Sequence, residues 1–202
     1  MEYPHSFSTI SYAKWHNYYF PEDKSITSKL ENLIDTLENN SKEDILFLIK
    51  FIKFQIESLS GNNFDTTTYS SPIFQADFVE SDAYKNLFKR PSSILNKLYR
   101  KNKNSKDINL SKLKIEITDL IRTSVTGDTL FSCEKLARKF KEIKFENKII
   151  QEEFDKHIDT IDIEPELKME AGYFAYHILF RFKNSNIVEL QIHSKIFERM
   201  LK

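Results

Sequence analysis

Helices first and alternating strands last predict an α+β fold, and three observations carry that expectation. The stretch Gly172–His193 alternates apolar and polar residues with a period of two, the pattern of half-buried strands. Two segments before residue 60 instead repeat their apolar residues at helical spacing. The chain's 202 residues are 40% hydrophobic and include 17 Phe and 9 Tyr, enough for the core of one domain or of one domain with a helical extension.

Taken in order, Met1–Pro21 is rich in aromatic residues, and Trp15 and Tyr18–Phe20 are expected to pack it onto the rest. Ile26–Glu38 places Ile26, Leu30, Leu33, Ile34 and Leu37 on one helical face. Ser41-Lys-Glu-Asp44 resembles a capping box with Asp in place of Glu or Gln. It opens a second helix to about Leu59, whose apolar residues cover much of the circumference, as in a packed central helix. Gly61–Pro72, polar and rich in Thr and Ser, reads as a linker, so residues 1–60 are expected to be an N-terminal helical extension and 73–202 the main domain. Pro91 precedes a helix from Ser92 to about Lys101 with a core stripe of Ile94, Leu95 and Leu98. Ile115–Asp119 reads as a strand with Asp119 ending its apolar face. Thr129–Ile143 reads as a helix, Phe145–Ile150 as a strand, and Gln151–Glu170, with eight acids to two lysines, as a solvated loop. Ser194–Lys202 starts a helix.

Within the alternating stretch, Tyr173, His177 and Arg181 share one face with Ala175 and Leu179. In the second half Ile187, Glu189, Gln191 and His193 share a face, and Val188, Leu190 and Ile192 take the other. Lys183–Asn186 supplies the turn. A one-residue slip would flip every side chain, so the loop must hold an odd number of residues, which sets His177 opposite Gln191 or close to Glu189. This polar row is the candidate active site.

Thirty basic residues balance thirty acidic ones, so the totals do not announce a nucleic-acid binder, and no recognition-helix pattern or basic arm points to DNA. The lone cysteine, Cys133, excludes an intramolecular disulfide and a multi-cysteine metal site, which suits a reducing cytoplasm; its setting is that of a buried bystander. No apolar run reaches the roughly 20 residues of a membrane span, and no signal-peptide layout is present. With three glycines, Rossmann and P-loop cradles are absent, and any phosphate must be held by side chains. Lys89–Lys106 carries seven basic residues and no acid. A solvated surface explains such a run, yet Lys89 and Arg90 just ahead of a helix N-terminus would converge on one anion, a polyphosphate fitting best. Glu189 in mid-strand and Asp119 are costly on a sheet unless paired or bound to a cation. Together with the lysines they suggest Mg²⁺-assisted phosphoryl-type transfer. An ion pair of Glu189 with Arg181 across the hairpin is the other reading.

Four motifs occur in a familiar order: Lys89-x3-Ser93-Ile-Leu-x-Lys97, Asp119 at a strand end, Gly172-Tyr-Phe-Ala-Tyr-His177, and Glu189-Leu-Gln-Ile192. In this the region from Pro72 to Lys202 resembles the RelA/SpoT-type alarmone synthetases. The resemblance implies a mixed β-sheet of about five strands flanked by helices, in the nucleotidyltransferase-like group. It implies transfer of the β,γ-pyrophosphate of ATP to a ribose 3′-hydroxyl, releasing AMP. Lys89, Ser93 and Lys97 would hold the ATP phosphates, with Arg100 and Lys101 as further candidates. Asp119 would bind Mg²⁺; Glu189 would bind Mg²⁺ or activate the acceptor hydroxyl, with Gln191 supporting it. Tyr173 would stack on the acceptor base and His177 would position its ribose and phosphates, or else simply hydrogen-bond Gln191. Leu87, Arg122, Phe174 and His193 depart from the family pattern, three of them where it has arginines. That resembles the toxic small synthetases of toxin–antitoxin pairs, some of which modify the 3′-CCA end of tRNA and so inhibit translation. The implied partners are ATP, tRNA or a guanosine or adenosine nucleotide, and a cognate antitoxin. Lys50, Lys53, Lys195, Arg199 and Lys202 are candidates for tRNA contact. An alarmone maker acting on free nucleotides and a non-catalytic nucleotide-binding interaction module are the alternatives.

Overall fold

A computed structural model of the chain describes residues 1–60, 67–105, 107–143, 145, 148–163, 168–170 and 173–196, the side chains of 114, 168–170, 173 and 174 apart. The chain divides into two compact units, Met1–Asn40 with Phe88–Leu120, and Ser41–Leu87 with Ile121–Lys202. The first 60 residues are thus shared between both units.

The first unit is helical. Helix α1 (Thr9–Tyr19) is capped by Ser8, whose side chain accepts from the Ser11 N–H. Helix α2 (Ile26–Asn40) buries Ile26, Leu30, Ile34 and Leu37 at the expected spacing. Trp15 is 1% exposed, whereas Tyr18 and Tyr19 are 63% and 47% exposed: they lie on the outer side of α1, so the packing expected of them falls to Tyr12 and Trp15. A buried polar chain runs under this helix. Asp23 Oδ2 takes hydrogen bonds from His16 Nε2 and the Leu110 N–H, each 2.8 Å. His16 Nδ1 lies 3.4 Å from the Tyr12 hydroxyl, and Asn102 donates to that hydroxyl and to the Ile108 carbonyl, 2.8 Å each, while accepting from the Ile108 N–H. Burial lowers the His16 pKa and Asp23 opposes the shift. A neutral ring that donates to Asp23 through Nε2 and accepts from Tyr12 at Nδ1 satisfies both nitrogens.

The second unit holds a mixed sheet. In chain order its helices are α3 (Lys42–Leu59), α6 (Leu130–Lys141) and α7 (Lys148–His157), and its strands are β1 (Tyr69–Ser70), β2 (Ile121–Gly127), β3 (Ile158–Ile163), β4 (Lys168–Glu170), β5 (Tyr173–Phe182) and β6 (Ile187–Ser194). Helices α4 (Pro91–Asn102) and α5 (Leu113–Glu116) belong to the first unit. The strand order is β1-β2-β6-β5-β3, with β4 also paired to β5; β2 and β6 run parallel and the other pairs antiparallel. The α+β architecture, a mixed sheet flanked by helices and preceded by helices, is as expected.

One sheet face is apolar. Ile178, Phe180, Val188, Leu190 and Ile192 are all 0% exposed, and the Phe180 ring meets Phe140 of α6 at 5.6 Å and Phe51 of α3 at 6.4 Å. Gly127 lets the end of β2 approach α6. A Cβ there would lie 2.7 Å from Cys133 Sγ and 2.8 Å from Ser132 Oγ, both on short, buried side chains with no room to retreat. Gly127→Ala should therefore cost about 1–3 kcal/mol, read as a lower thermal midpoint; an unchanged midpoint would contradict this packing. Cys133 is the expected buried bystander, its thiol pushed up to about 11 by burial.

Several expectations are corrected. Ile115 lies in the short helix α5 and is 77% exposed; the strand begins at Ile121, so Asp119 precedes a strand instead of ending one. Residues 148–150 open α7 instead of forming a strand. The acidic stretch is a solvated loop only in expectation: its described part contains most of α7, then β3 and β4. Tyr69–Ser70 of the presumed linker pairs with β2, while 61–66 lie outside the described residues. Ser41 caps α3 without a side-chain bond, because the supposed box is used elsewhere. Asn186 Nδ2 donates to Ser41 Oγ and Asp44 Oδ2 (3.2 and 3.0 Å), and Asn184 Nδ2 donates to the same carboxylate oxygen (2.6 Å). The start of α3 thereby clamps the β5–β6 turn. Beyond Ile196 the expected last helix lies outside the described residues. No helix among the described residues is long and apolar enough to cross a membrane.

Candidate functional site

Each unit carries one polar cluster. In the first unit, Arg90 caps α4 and Pro91 follows at its first turn, where a missing N–H costs nothing. Ile94, Leu95 and Leu98 are 0% exposed, so the opposite side presents Ser93 and Lys97 to solvent. The Lys89 N–H donates to the Leu120 carbonyl at 2.9 Å, which brings the lysine to the residue beside Asp119. Lys89 Nζ and Lys97 Nζ then both donate to Asp119 Oδ2, at 2.7 and 2.6 Å. Burial raises the Asp119 pKa, but the hydrogen bonds and charges of the two lysines outweigh it and hold the carboxyl below its usual range. The second oxygen, Oδ1, is buried with no hydrogen-bond partner among the described residues. Lys101 is paired with Glu116 at 3.1 Å, and Arg100 is exposed further along α4.

In the second unit, the hairpin register pairs His177 with Gln191 and Arg181 with Ile187, leaving an odd number of residues between, as predicted. Parallel pairing adds Arg122 beside Glu189, Ser124 beside Gln191 and Thr126 beside His193, so all share the polar face. His177 Nδ1 lies 2.6 Å from Glu189 Oε1, and Gln191 Nε2 donates to Glu189 Oε2 at 3.3 Å. A carboxylate can only accept, which places the ring hydrogen on Nδ1. His193 Nε2 meets Thr126 Oγ1 at 3.0 Å. Glu189 and His177 are 8% and 9% exposed. The ion pair with Arg181 does not form, since Arg181 Nε bonds Asp162 Oδ2 of β3 at 2.6 Å; His177 bonds Glu189, to which Gln191 also donates. Tyr173 opens β5, and its side chain, like Gly172, lies outside the described residues. Beside this row is a cavity of about 310 Å³ whose lining includes the apolar Phe78 and Leu87 and the polar Arg122, Ser124, Gln191 and His193.

Sequence reasoning found the lysines, Asp119, His177 and Glu189. It noted Arg122 and Leu87 only as departures from a family pattern and not as site residues; it missed Thr126, whose signal was the alternation that follows Ile121, and Phe78, which lies in a 3₁₀ turn without periodicity. Among the described residues no group of three or more His, Cys, Asp or Glu is disposed to hold a metal alone. Mg²⁺ does not require one, because it takes one or two carboxylates and fills its shell with phosphate oxygens and waters. The partnerless, buried Asp119 Oδ1 fits that demand.

No family model and no curated protein matches the chain.

Proposed function

We propose that this chain is an ATP-dependent pyrophosphokinase. It moves the β,γ-pyrophosphate of ATP to the ribose 3′-hydroxyl at the CCA end of tRNA, and it acts in the cytoplasm as the toxin of a toxin–antitoxin pair. The observation that carries this reading is the Asp119 carboxylate, with two lysines on one oxygen and a buried, partnerless second oxygen. That oxygen suits Mg²⁺, which would neutralise charge on the ATP phosphates. Lys89 and Lys97, already gathered at one point, would bind the same phosphates, with Ser93 one turn before Lys97 as a further donor. Glu189, oriented by His177 and Gln191, would accept the proton of the attacking hydroxyl. The acceptor oxygen then bonds to the β-phosphorus as its bond to the α,β-bridging oxygen breaks, and AMP leaves. The cavity beside Gln191 and His193 has the size of a small ligand site and would take a nucleobase among its apolar and polar side chains.

The test is to incubate the purified protein with γ-labelled ATP and tRNA, GDP, GTP or AMP. Label in tRNA with release of AMP is expected. Label confined to free nucleotides would replace the acceptor and make the chain an alarmone synthetase. Label in none of them would refute the transfer itself.

A further inference from the structure

In the first unit an open groove of about 530 Å³ runs along the second half of α4, lined by Lys97, Arg100, Lys101, Asn104, Ser105 and Glu116, with Ile108 as its apolar residue. Three cations face one acid there. Glu116 is matched by Lys101 and Lys97 by Asp119, while Arg100 makes no ion pair among the described residues. The groove therefore keeps an excess of positive charge and a set of amide and hydroxyl donors. Its lining includes no aromatic ring, so it offers a nucleobase no ring to stack on. Lys97, Arg100 and Lys101 fall at i, i+3 and i+4, one face of α4, and Asn104 and Ser105 follow just beyond its end.

We infer that this groove seats the phosphodiester backbone of single-stranded RNA. The choice of RNA rests on the acceptor proposed above. Arg100 and Lys101 then serve the acceptor strand in place of the donor nucleotide.

The test measures anisotropy of a short fluorescein-labelled single-stranded RNA, and separately binding of a fluorescent ATP analogue, to the full chain at several salt concentrations. Arg100 is exposed, so Arg100→Gln and Arg100→Glu should both fold, as circular dichroism will verify. If the glutamate variant does not fold, the glutamine variant carries the test. RNA affinity should fall several-fold for Arg100→Gln and by about tenfold or more for Arg100→Glu. The slope of log affinity against log salt should flatten by about 0.7 for the lost contact. Failure of the parent to bind RNA at low salt, or RNA affinity within about twofold of the parent in both variants, would overturn the inference, since each phosphate contact carries such a salt-dependent share. So would an equal loss for the ATP analogue, which would return the groove to the donor. Arg100-dependent RNA binding without any label transfer would uphold the groove and sink the pyrophosphokinase reading, so the two failures are distinct.

Discussion

Glu189→Gln is expected to remove at least about a hundredfold, and up to about ten-thousandfold, of label transfer to the acceptor that the parent uses, the span of a lost general base. The substitution keeps the shape of the side chain. Its amide oxygen can still accept the His177 Nδ1–H that now bonds Oε1 at 2.6 Å, and its amide nitrogen, standing where Oε2 accepts from Gln191 Nε2 at 3.3 Å, can donate to Gln191 once that amide turns its oxygen inward, so the hairpin and the thermal midpoint should be preserved. What disappears is the capacity to take a proton from a hydroxyl. Rates of label incorporation for parent and variant, at saturating ATP, decide it. A variant within about tenfold of the parent would remove Glu189 from the chemistry, because positioning alone explains losses of that size.

The second large effect is on stability. Asp119→Ala leaves Lys89 and Lys97, with side chains 14% and 31% exposed, pointing at one place without a counter-charge. Removing one partner of a buried ion pair costs about 3–5 kcal/mol; the partial exposure of Lys97 reduces this to about 2–3 kcal/mol by solvent screening. The effect should also depend on pH. In the folded chain the Asp119 carboxyl titrates below its usual range because the lysines outweigh burial, so the folded state favours the ionised form. Its contribution is complete above the unfolded value, near pH 3.9, and is lost as pH falls through the lower folded value. Denaturant midpoints of parent and variant, measured without divalent metal, should therefore be far apart at neutral pH and converge in acid. A gap independent of pH would show that the lysines do not rely on this carboxylate.

The β5–β6 hairpin was legible because one of its faces is apolar or aromatic throughout while the other carries its polar residues, and turn parity then leaves one family of registers. Helices α2, α3 and α4 were legible for the matching reason at helical period. The strand β2 was not. Ile115-Glu-Ile-Thr alternates as well as Ile121-Arg-Thr-Ser-Val125, and local pattern cannot choose between them. Tertiary pairing does: Ile121 and Val125 lie in register with Val188 and Ile192, whereas Ile115 has no such partner and stays at the surface. The acidic stretch hid β3 because that strand presents Asp159 and Asp162 outward. One of those acids captures Arg181, which is why Glu189 was available to His177. The candidate site was thus legible as residue types, while its pairings depended on a strand whose composition imitates a loop. The clamp of Asp44 on Asn184 and Asn186 was hidden for a similar reason: a Ser-x-x-Asp sequence serves a helix cap and a distant turn equally well.

The position of β6 has a consequence for synthesis of the chain. Its neighbours in the sheet are β2, made some sixty residues earlier, and β5, made just before it. Until Ile187–Ser194 leaves the ribosome, β2 lacks its parallel neighbour and β5 exposes a bare edge, the kind of edge that recruits other chains. Long-range pairing of this sort closes slowly. Glu189 and Gln191 therefore reach their places only when β6, the last of the described strands to be made, pairs with β2 and β5, so the polar row of the candidate site is assembled late.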